Sequence, residues 1–265
     1  MTLPQNNAEG NADLPILTPA ESCEYLHDEF ARYEVRLIDR LSASQYDKML
    51  QRGWRRQGIY FFRPACATCN QCQSLRVPVE TFRPSKSQRR SYRRNEQVRV
   101  EIGKPSISDE IIQLFNDYHD EMTRRRGWRT NQVDLTDFVL HFHTGHFSFA
   151  REFRYYLENK LIGMGLVDIT DESASSIYFF HAPSWRPQAP GVFSLMAEFE
   201  HIKRLNVKHH YLGYWIASCQ SMAYKNRYRP HEILESYVGD NASPAWLPIV
   251  THPSHATKSA DSNRE

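Results

Sequence analysis

At 265 residues, with 40% hydrophobic and 24% charged residues, the chain can bury a sizeable core and suits one large domain or two small ones. A net charge of +2 is too mild to mark a wholly basic protein, no apolar run reaches the roughly 18–20 residues that span a bilayer, and the polar start lacks the basic-then-apolar order of a signal peptide. Five cysteines, three of them within residues 66–72, do not make a disulfide framework; they read as metal or redox chemistry in a reducing compartment, and the expected location is cytoplasmic.

Residues 1–15 are polar and Asn-rich, which predicts a mobile leader. Thr18-Pro19-Ala20-Glu21 has the form of a helix start with Pro at its first position, so a helix is expected over 18–26 with Cys23 inside it. A strand follows at 34–38, then a helix over 45–53 with Ser44 as cap and Gly53 as stop. Residues 59–63 and 75–79 read as strands flanking a cysteine loop. The run 85–95 has no clear apolar stripe and reads as either a helix or an ordered loop. A strand at 98–102 precedes a helix over 109–118, capped by Ser108, with Ile111, Ile112, Phe115 and Tyr118 at helical spacing. A further helix is expected at 136–142.

The later part changes character. Runs 152–157 and 161–169, separated by Glu158-Asn159-Lys160, predict a hairpin. A strand at 175–180, a Pro-rich loop at 183–190, a helix over 192–205 burying Leu195, Phe199, Ile202 and Leu205, a strand at 210–216 and a short helix at 217–225 complete an α+β sandwich. From Gly239 onward the tail reads as disordered. The expected domains are an N-terminal cysteine and basic module over 16–100 and a sandwich domain over 101–238, between the leader and the tail over 239–265.

Cys66, Cys69 and Cys72, at three-residue spacing, form a soft donor set if their loop folds back on itself. A fourth ligand at the next such spacing would fall on Arg76. Cys23 is therefore the expected fourth ligand, with His27 one turn further on, and zinc and an iron–sulfur cluster both suit such a set. Cys219 reads as a buried core thiol. Beyond the loop, Arg83, Lys86, Arg89, Arg90, Arg93, Arg94 and Arg99 form a basic comb with Phe82 and Tyr92 interleaved. That combination suits a phosphate backbone and an unstacked nucleotide.

Gly53-Trp54-Arg55-Arg56-Gln57-Gly58, Tyr60, Arg63-Pro64, the cysteines, Arg76-Val77-Pro78-Val79, Phe82 and Ser87-Gln88-Arg89-Arg90 stand in that order. Far downstream come Tyr211-Leu212-Gly213-Tyr214-Trp215-Ile216, Met222-Ala223-Tyr224-Lys225 and Tyr228-Arg229-Pro230. Together these blocks resemble the N- and C-terminal signatures of the aminoacyl-tRNA–protein transferases, and the likeness runs from about Cys23 to Tyr237. Length and the cysteine triplet resemble the bacterial branch, which transfers leucine to proteins beginning with Asp or Glu; the eukaryotic branch transfers arginine. The resemblance implies a GNAT-type (acyl-CoA N-acyltransferase-like) sandwich, a metal or cluster on the cysteines, a role in marking proteins for degradation, and aminoacyl-tRNA and acid-headed proteins as partners. Departures stand at Ala189-Pro190-Gly191-Val192-Phe193-Ser194 and around 119–128, where the aminoacyl pocket would be shaped.

On that reading, Arg76, Arg89, Arg90 and Arg93 are expected to grip tRNA phosphates, or one of them the acceptor's acidic side chain. Lys225 and Arg229 are the other candidates for that carboxylate. Tyr214 and Tyr224 are candidates for orienting the ester carbonyl or relaying a proton, and Asp168 for anchoring the donor's α-ammonium. The rivals are a coenzyme-A-dependent N-acetyltransferase and a non-catalytic RNA-binding protein built on a zinc module. Two prolines in 186–191 remove backbone donors from any pyrophosphate cradle there, which argues against the first.

Overall fold

The computed structural model describes residues 15–130 and 132–249, so almost all of the expected leader and the end of the tail lie outside the described residues. Three two-residue strands open the chain: β1 (Ile16–Leu17), β2 (Glu21–Ser22) and β3 (Phe30–Ala31). They are followed by β4 (Tyr33–Leu37), helix α1 (Ala43–Gln51), β5 (Arg55–Gln57), β6 (Tyr60–Pro64) and β7 (Gln73–Pro78). Helix α2 (Lys86–Arg94), β8 (Arg99–Gly103), α3 (Asp109–Arg126) and the single turn α4 (Leu135–Phe138) come next, with a π-helical turn at Val139–His143. Strands β9 (Ala150–Leu157), β10 (Lys160–Ile169) and β11 (Ser173–His181) lead into a 3-10 turn, Pro183–Gln188. Helix α5 (Pro190–Arg204), β12 (His209–Trp215), α6 (Gln220–Ala223), a 3-10 turn at Tyr224–Arg227, β13 (Glu232–Leu234) and β14 (Trp246–Pro248) complete the described chain.

Among the described residues, one mixed sheet of eight strands carries the fold in the order β14-β13-β7-β12-β11-β10-β9-β8. A four-stranded sheet, β1-β4-β6-β5, lies beside it, and β2 pairs with β3. The α+β class therefore stands, but the sheet crosses the expected division at residue 100. Strand β7, from the cysteine module, hydrogen-bonds β12 on one edge and β13 on the other. Its Leu75 and Val77 are fully buried in the main core, and burying each such side chain contributes about 1.5–3 kcal/mol.

Helices α3 and α5 supply the apolar faces that cover this sheet: Ile111, Leu114 and Phe115 from one, Phe193, Phe199 and Ile202 from the other. Leu205, expected inside, is 50% exposed because the helix has already ended at Arg204. A second cluster, built on Tyr46, Leu50, Trp54 and Phe61, joins α1 and the small sheet to Tyr211 of the large one and to Phe149, just before β9.

Several local expectations are corrected. Residues 18–26 form no helix: Glu21 and Ser22 pair with Ala31 and Phe30, while Thr18 exchanges hydrogen bonds with Tyr33, so Pro19 sits in extended chain. The cap of α1 is Ser42 rather than Ser44, in a reciprocal capping box with Gln45. Helix α3 runs on to Arg126 and stops at Gly127 in the left-handed conformation. The tail beyond Gly239 is not structureless throughout, because β14 pairs with β13 and Trp246 donates its indole N–H to Gln51 O at 3.0 Å.

The ambiguous run 85–95 is a helix. Its capping box, Ser85 with Gln88, fixes the start. Its buried face is polar: Asn95 donates to Gln188 O at 2.8 Å and accepts from Trp185 Nε1 at 2.8 Å. A helix seated by hydrogen bonds rather than by a hydrophobic stripe leaves no apolar period to read.

Candidate functional site

Strands β11 and β12 form the one parallel pair of the large sheet as described. Their pairing covers Ser173, Ala174 and Ser175 opposite His209, His210 and Tyr211, and goes no further. Both strands continue, β11 still paired to β10 and β12 still paired to β7, and each passes a register shift just there. The sheet thus opens along 176–181 and 212–215, leaving backbone groups in its middle that need other partners.

Side chains from two other elements supply them. Arg55, on β5, donates from Nη1 to Ser175 Oγ at 2.6 Å and from Nη2 to Ser176 O. Lys225 donates from Nζ to Tyr214 O at 2.6 Å. Beneath the gap, Ser176 Oγ donates to Glu198 Oε2 at 2.5 Å and lies 2.9 Å from His210 Nε2, while Ser194 Oγ donates to Glu198 Oε1 at 3.1 Å. Gly213, with φ of +83°, is where Arg55 passes: a Cβ there would stand 3.2 Å from the guanidinium carbon. Burial, and secondly the Arg55 charge, push the Lys225 ammonium down to about 7.

The expected site residues divide into two groups. Lys225 lines the gap; Tyr224, 41% exposed, and Arg229 lie along a groove of about 540 Å³ between α2 and the Tyr224–Arg227 turn. Arg90 and Arg94 form the other wall of that groove, and Arg89 and Arg93 stand exposed on the same helix. Arg89 also closes back on Pro84 O at the start of its helix. The comb thus meets the Tyr-Lys block in space although more than a hundred residues separate them.

The second group is occupied by structure. The Tyr214 hydroxyl is buried and donates to Phe62 O at 2.9 Å, so only the carbonyl of this residue reaches the gap. Arg76 pairs with Glu232 at 2.6 Å and lies 4.2 Å from the Trp246 ring centre, far from a phosphate-facing role. Asp168 is held in a buried ion pair by Arg56. Strands β7 and β10 place both residues inside the sheet, where a charge needs an internal partner.

Cys23, Cys66, Cys69 and Cys72 line a single cavity of about 330 Å³, so the loop does fold back toward Cys23 as expected. Burial, followed by the charges of the other cysteines, pushes the Cys72 thiol up to about 12. Cys219 is not a core thiol: it is half-buried at the start of α6 and is one of the charges felt by Cys72 and by Lys225. Among the described residues, no three Cys, His, Asp or Glu side chains are drawn together as a metal-holding set. The donor chemistry suits a soft metal, but among the described residues the thiols are not gathered as a set that would hold one.

Sequence reasoning missed Arg55, Ser176, Glu198 and His210. Arg55 lay inside a quoted block without a role; the others look like ordinary strand and helix residues. Only the buried acid Glu198, on an otherwise apolar helix face, carries a readable signal.

Two family models match the chain: the N terminus of arginine-tRNA-protein transferase over residues 21–90 and its C terminus over residues 110–235. An aspartate/glutamate leucyltransferase of Campylobacter jejuni is 34% identical over 223 residues, 84% of this chain and 93% of the relative. That of Helicobacter hepaticus is 30% identical over 84% of this chain and 93% of its own length. Among solved structures, FemX overlaps 79% of this chain and 72% of its own at 9% identity, with a TM-score of 0.48. Both halves of the family signature and near-complete coverage of the relatives agree with the residue blocks gathered about the gap and groove, and the chain belongs to the aminoacyl-tRNA–protein transferase family.

Proposed function

We propose that this protein transfers leucine from aminoacyl-tRNA to the N-terminal Asp or Glu of proteins in the cytoplasm, marking them for degradation. The observation that carries the reading is the match, over 84% of the chain, to relatives named aspartate/glutamate leucyltransferase. The groove walled by α2 on one side and residues 224–229 on the other supports it, since cationic and aromatic side chains converge there as a nucleic-acid end requires. The parallel pair β11 and β12, opening partway along, is the feature that supports a GNAT-type arrangement of the sandwich.

The donor is an activated ester, so no covalent enzyme intermediate is needed. The acceptor's α-amine attacks the ester carbonyl, a C–N bond forms, the C–O bond breaks, and the ribose hydroxyl leaves with a proton. Holding the two reactants in attack geometry supplies about 7–11 kcal/mol. An α-amine of pKa about 7.7–8.0 has a usable neutral fraction near neutral pH. Arg89, Arg90 and Arg93 hold donor phosphates, Tyr224 orients the ester at the mouth of the groove, and Lys225 and Arg229 face the acceptor. Tyr214 contributes by holding Lys225 through its carbonyl.

Arginine as donor is the second reading, favoured by the name of the matching family models. One assay separates them: purified protein, a panel of charged tRNAs, and peptides differing only in their first residue. Extension of Asp- and Glu-headed peptides by leucine is expected. Extension by arginine alone selects the second reading, and no extension by any donor removes both.

A further inference from the structure

Arg55 and Lys225 approach the opening between β11 and β12 from different elements and flank the Gly213–Tyr214 segment, one against each residue. Both are half-buried, and among the described residues neither forms an ion pair. Two cations side by side in a partly dry cleft repel each other and lose hydration, so such a pair is expected only where an anion completes it.

The surrounding elements do not provide that anion. Strand β11 offers Ser175 Oγ and Ser176 O, and β12 offers the Tyr214 carbonyl. From the α6 side and the cysteine loop, Cys219 and Cys72 act on Lys225, and no carboxylate is among the groups that do. Glu198, on α5, is the near acid, but its oxygens are engaged by Ser176, Ser194 and His210. Two of the five N–H donors of Arg55 go to Ser175 and Ser176, which fixes the plane of the fork. A guanidinium held in one orientation is matched to a carboxylate.

We propose that Arg55 determines acceptor specificity: with Lys225 beside it, it receives the side-chain carboxylate of an N-terminal Asp or Glu at the opening between β11 and β12. This rests on the acceptor reading above and deepens it by naming the group that reads the acid. The fork of Arg55 meets both carboxylate oxygens, and the neutral amide of Asn or Gln, which brings N–H groups against N–H groups, is rejected. The depressed ammonium of Lys225 is the mark of a cation pair awaiting its anion, and a bound carboxylate raises it again.

Two measurements test this. The first needs no transfer: phenylglyoxal modification of Arg55, followed by peptide mass spectrometry, in the presence of an Asp-headed peptide or its Asn-headed twin. Protection by the Asp peptide alone is expected, and equal protection by both, or by neither, overturns the proposal. The second compares kcat/KM for the two peptides with leucyl-tRNA as donor. Arg55→Gln is expected to lower the Asp-to-Asn ratio by about 10- to 100-fold, chiefly through acceptor KM, with donor KM unchanged. Arg55→Lys, which keeps the charge and loses the fork, is expected to fall between and covers the case in which Arg55→Gln does not fold. A ratio unchanged in either folded variant overturns the proposal. Failure of the unmodified chain to extend any peptide removes the transfer reading instead, and the protection experiment still decides Arg55.

Discussion

Arg56 and Asp168 form a buried, two-pronged ion pair: Arg56 Nε lies 2.6 Å from Asp168 Oδ2, its Nη2 bonds Oδ1, and the side chains are 6% and 1% exposed. The pair ties β5 of the small sheet to β10 of the large one. Arg56 also stacks 4.5 Å from the Phe147 ring centre, which leaves no room for a ligand's ammonium at Asp168. Removing one partner from a buried pair costs about 3–5 kcal/mol, because the other charge is left desolvated. Asp168→Asn is therefore expected to lower stability by about that amount in urea unfolding. A variant with unchanged stability that lost only donor binding would restore Asp168 to the site.

The two kinds of arginine in this chain predict opposite mutant behaviour. Arg89 and Arg90 stand exposed on α2, whereas Arg76 is tied to Glu232 and Trp246. Reversing Arg89 and Arg90 to Glu is expected to weaken tRNA binding and flatten its salt dependence by about one to two units of slope, without changing thermal stability. Arg76→Ala is expected to lower the unfolding midpoint and leave the salt slope alone. Equal slopes for the double reversal and the unmodified chain would remove α2 from the nucleic-acid face.

This contrast also shows what was legible in advance. The strands of the hairpin and the apolar helices α3 and α5 followed from their periods, because burial against a sheet leaves a hydrophobic stripe. Helix α2 did not, since Gln88, Ser91 and Asn95 seat it by hydrogen bonds. Charge near the cysteine loop marked the basic surface, but charge type does not distinguish an arginine on an inner strand from one on a solvent face. Arg76 and Arg89 look alike as letters, and only strand pairing separates them. The gap between β11 and β12 was illegible for a further reason. It arises where two register shifts coincide on neighbouring strands 35 residues apart, as Ser176 and Tyr211 stand, and no local pattern records that.

The cysteine cavity makes a chemical prediction. Burial pushes the Cys72 thiol up to about 12, well above a free thiol's value of about 8.5, so its thiolate fraction near pH 8 is small. In protein stripped with a chelator, Cys72 is expected to react with iodoacetamide at least about tenfold more slowly than a model thiol at pH 8, as followed by mass spectrometry. Reaction of Cys72 at the rate of an unperturbed thiol would contradict its burial.

Lys225 carries the pH dependence of the acceptor step. Burial and the neighbouring Arg55 both disfavour its ammonium, so it titrates near 7 rather than near the ordinary lysine value of about 10.4. Below that pH it is charged and helps hold an acidic side chain; above it the amine is neutral and Arg55 acts without its help. The preference for an Asp- over an Asn-headed peptide is therefore expected to be largest below pH 7 and to decline as pH rises. Each peptide's rate is expressed per neutral α-amine from its own titration, because the Asp carboxylate raises the pKa of the amine beside it and the Asn amide does not. A bound carboxylate raises the lysine's pKa, so the decline is spread over more alkaline pH than the free protein's titration alone implies. Lys225→Ala is expected to keep its circular dichroism, to lose about a hundredfold or more in transfer, and to show a flat ratio. Lys225→Arg keeps its charge throughout and holds the preference to higher pH. A ratio that is flat in the unmodified chain, or full activity in Lys225→Ala, discards this role, because the acid would then be sensed by arginine, which does not change charge in this pH range.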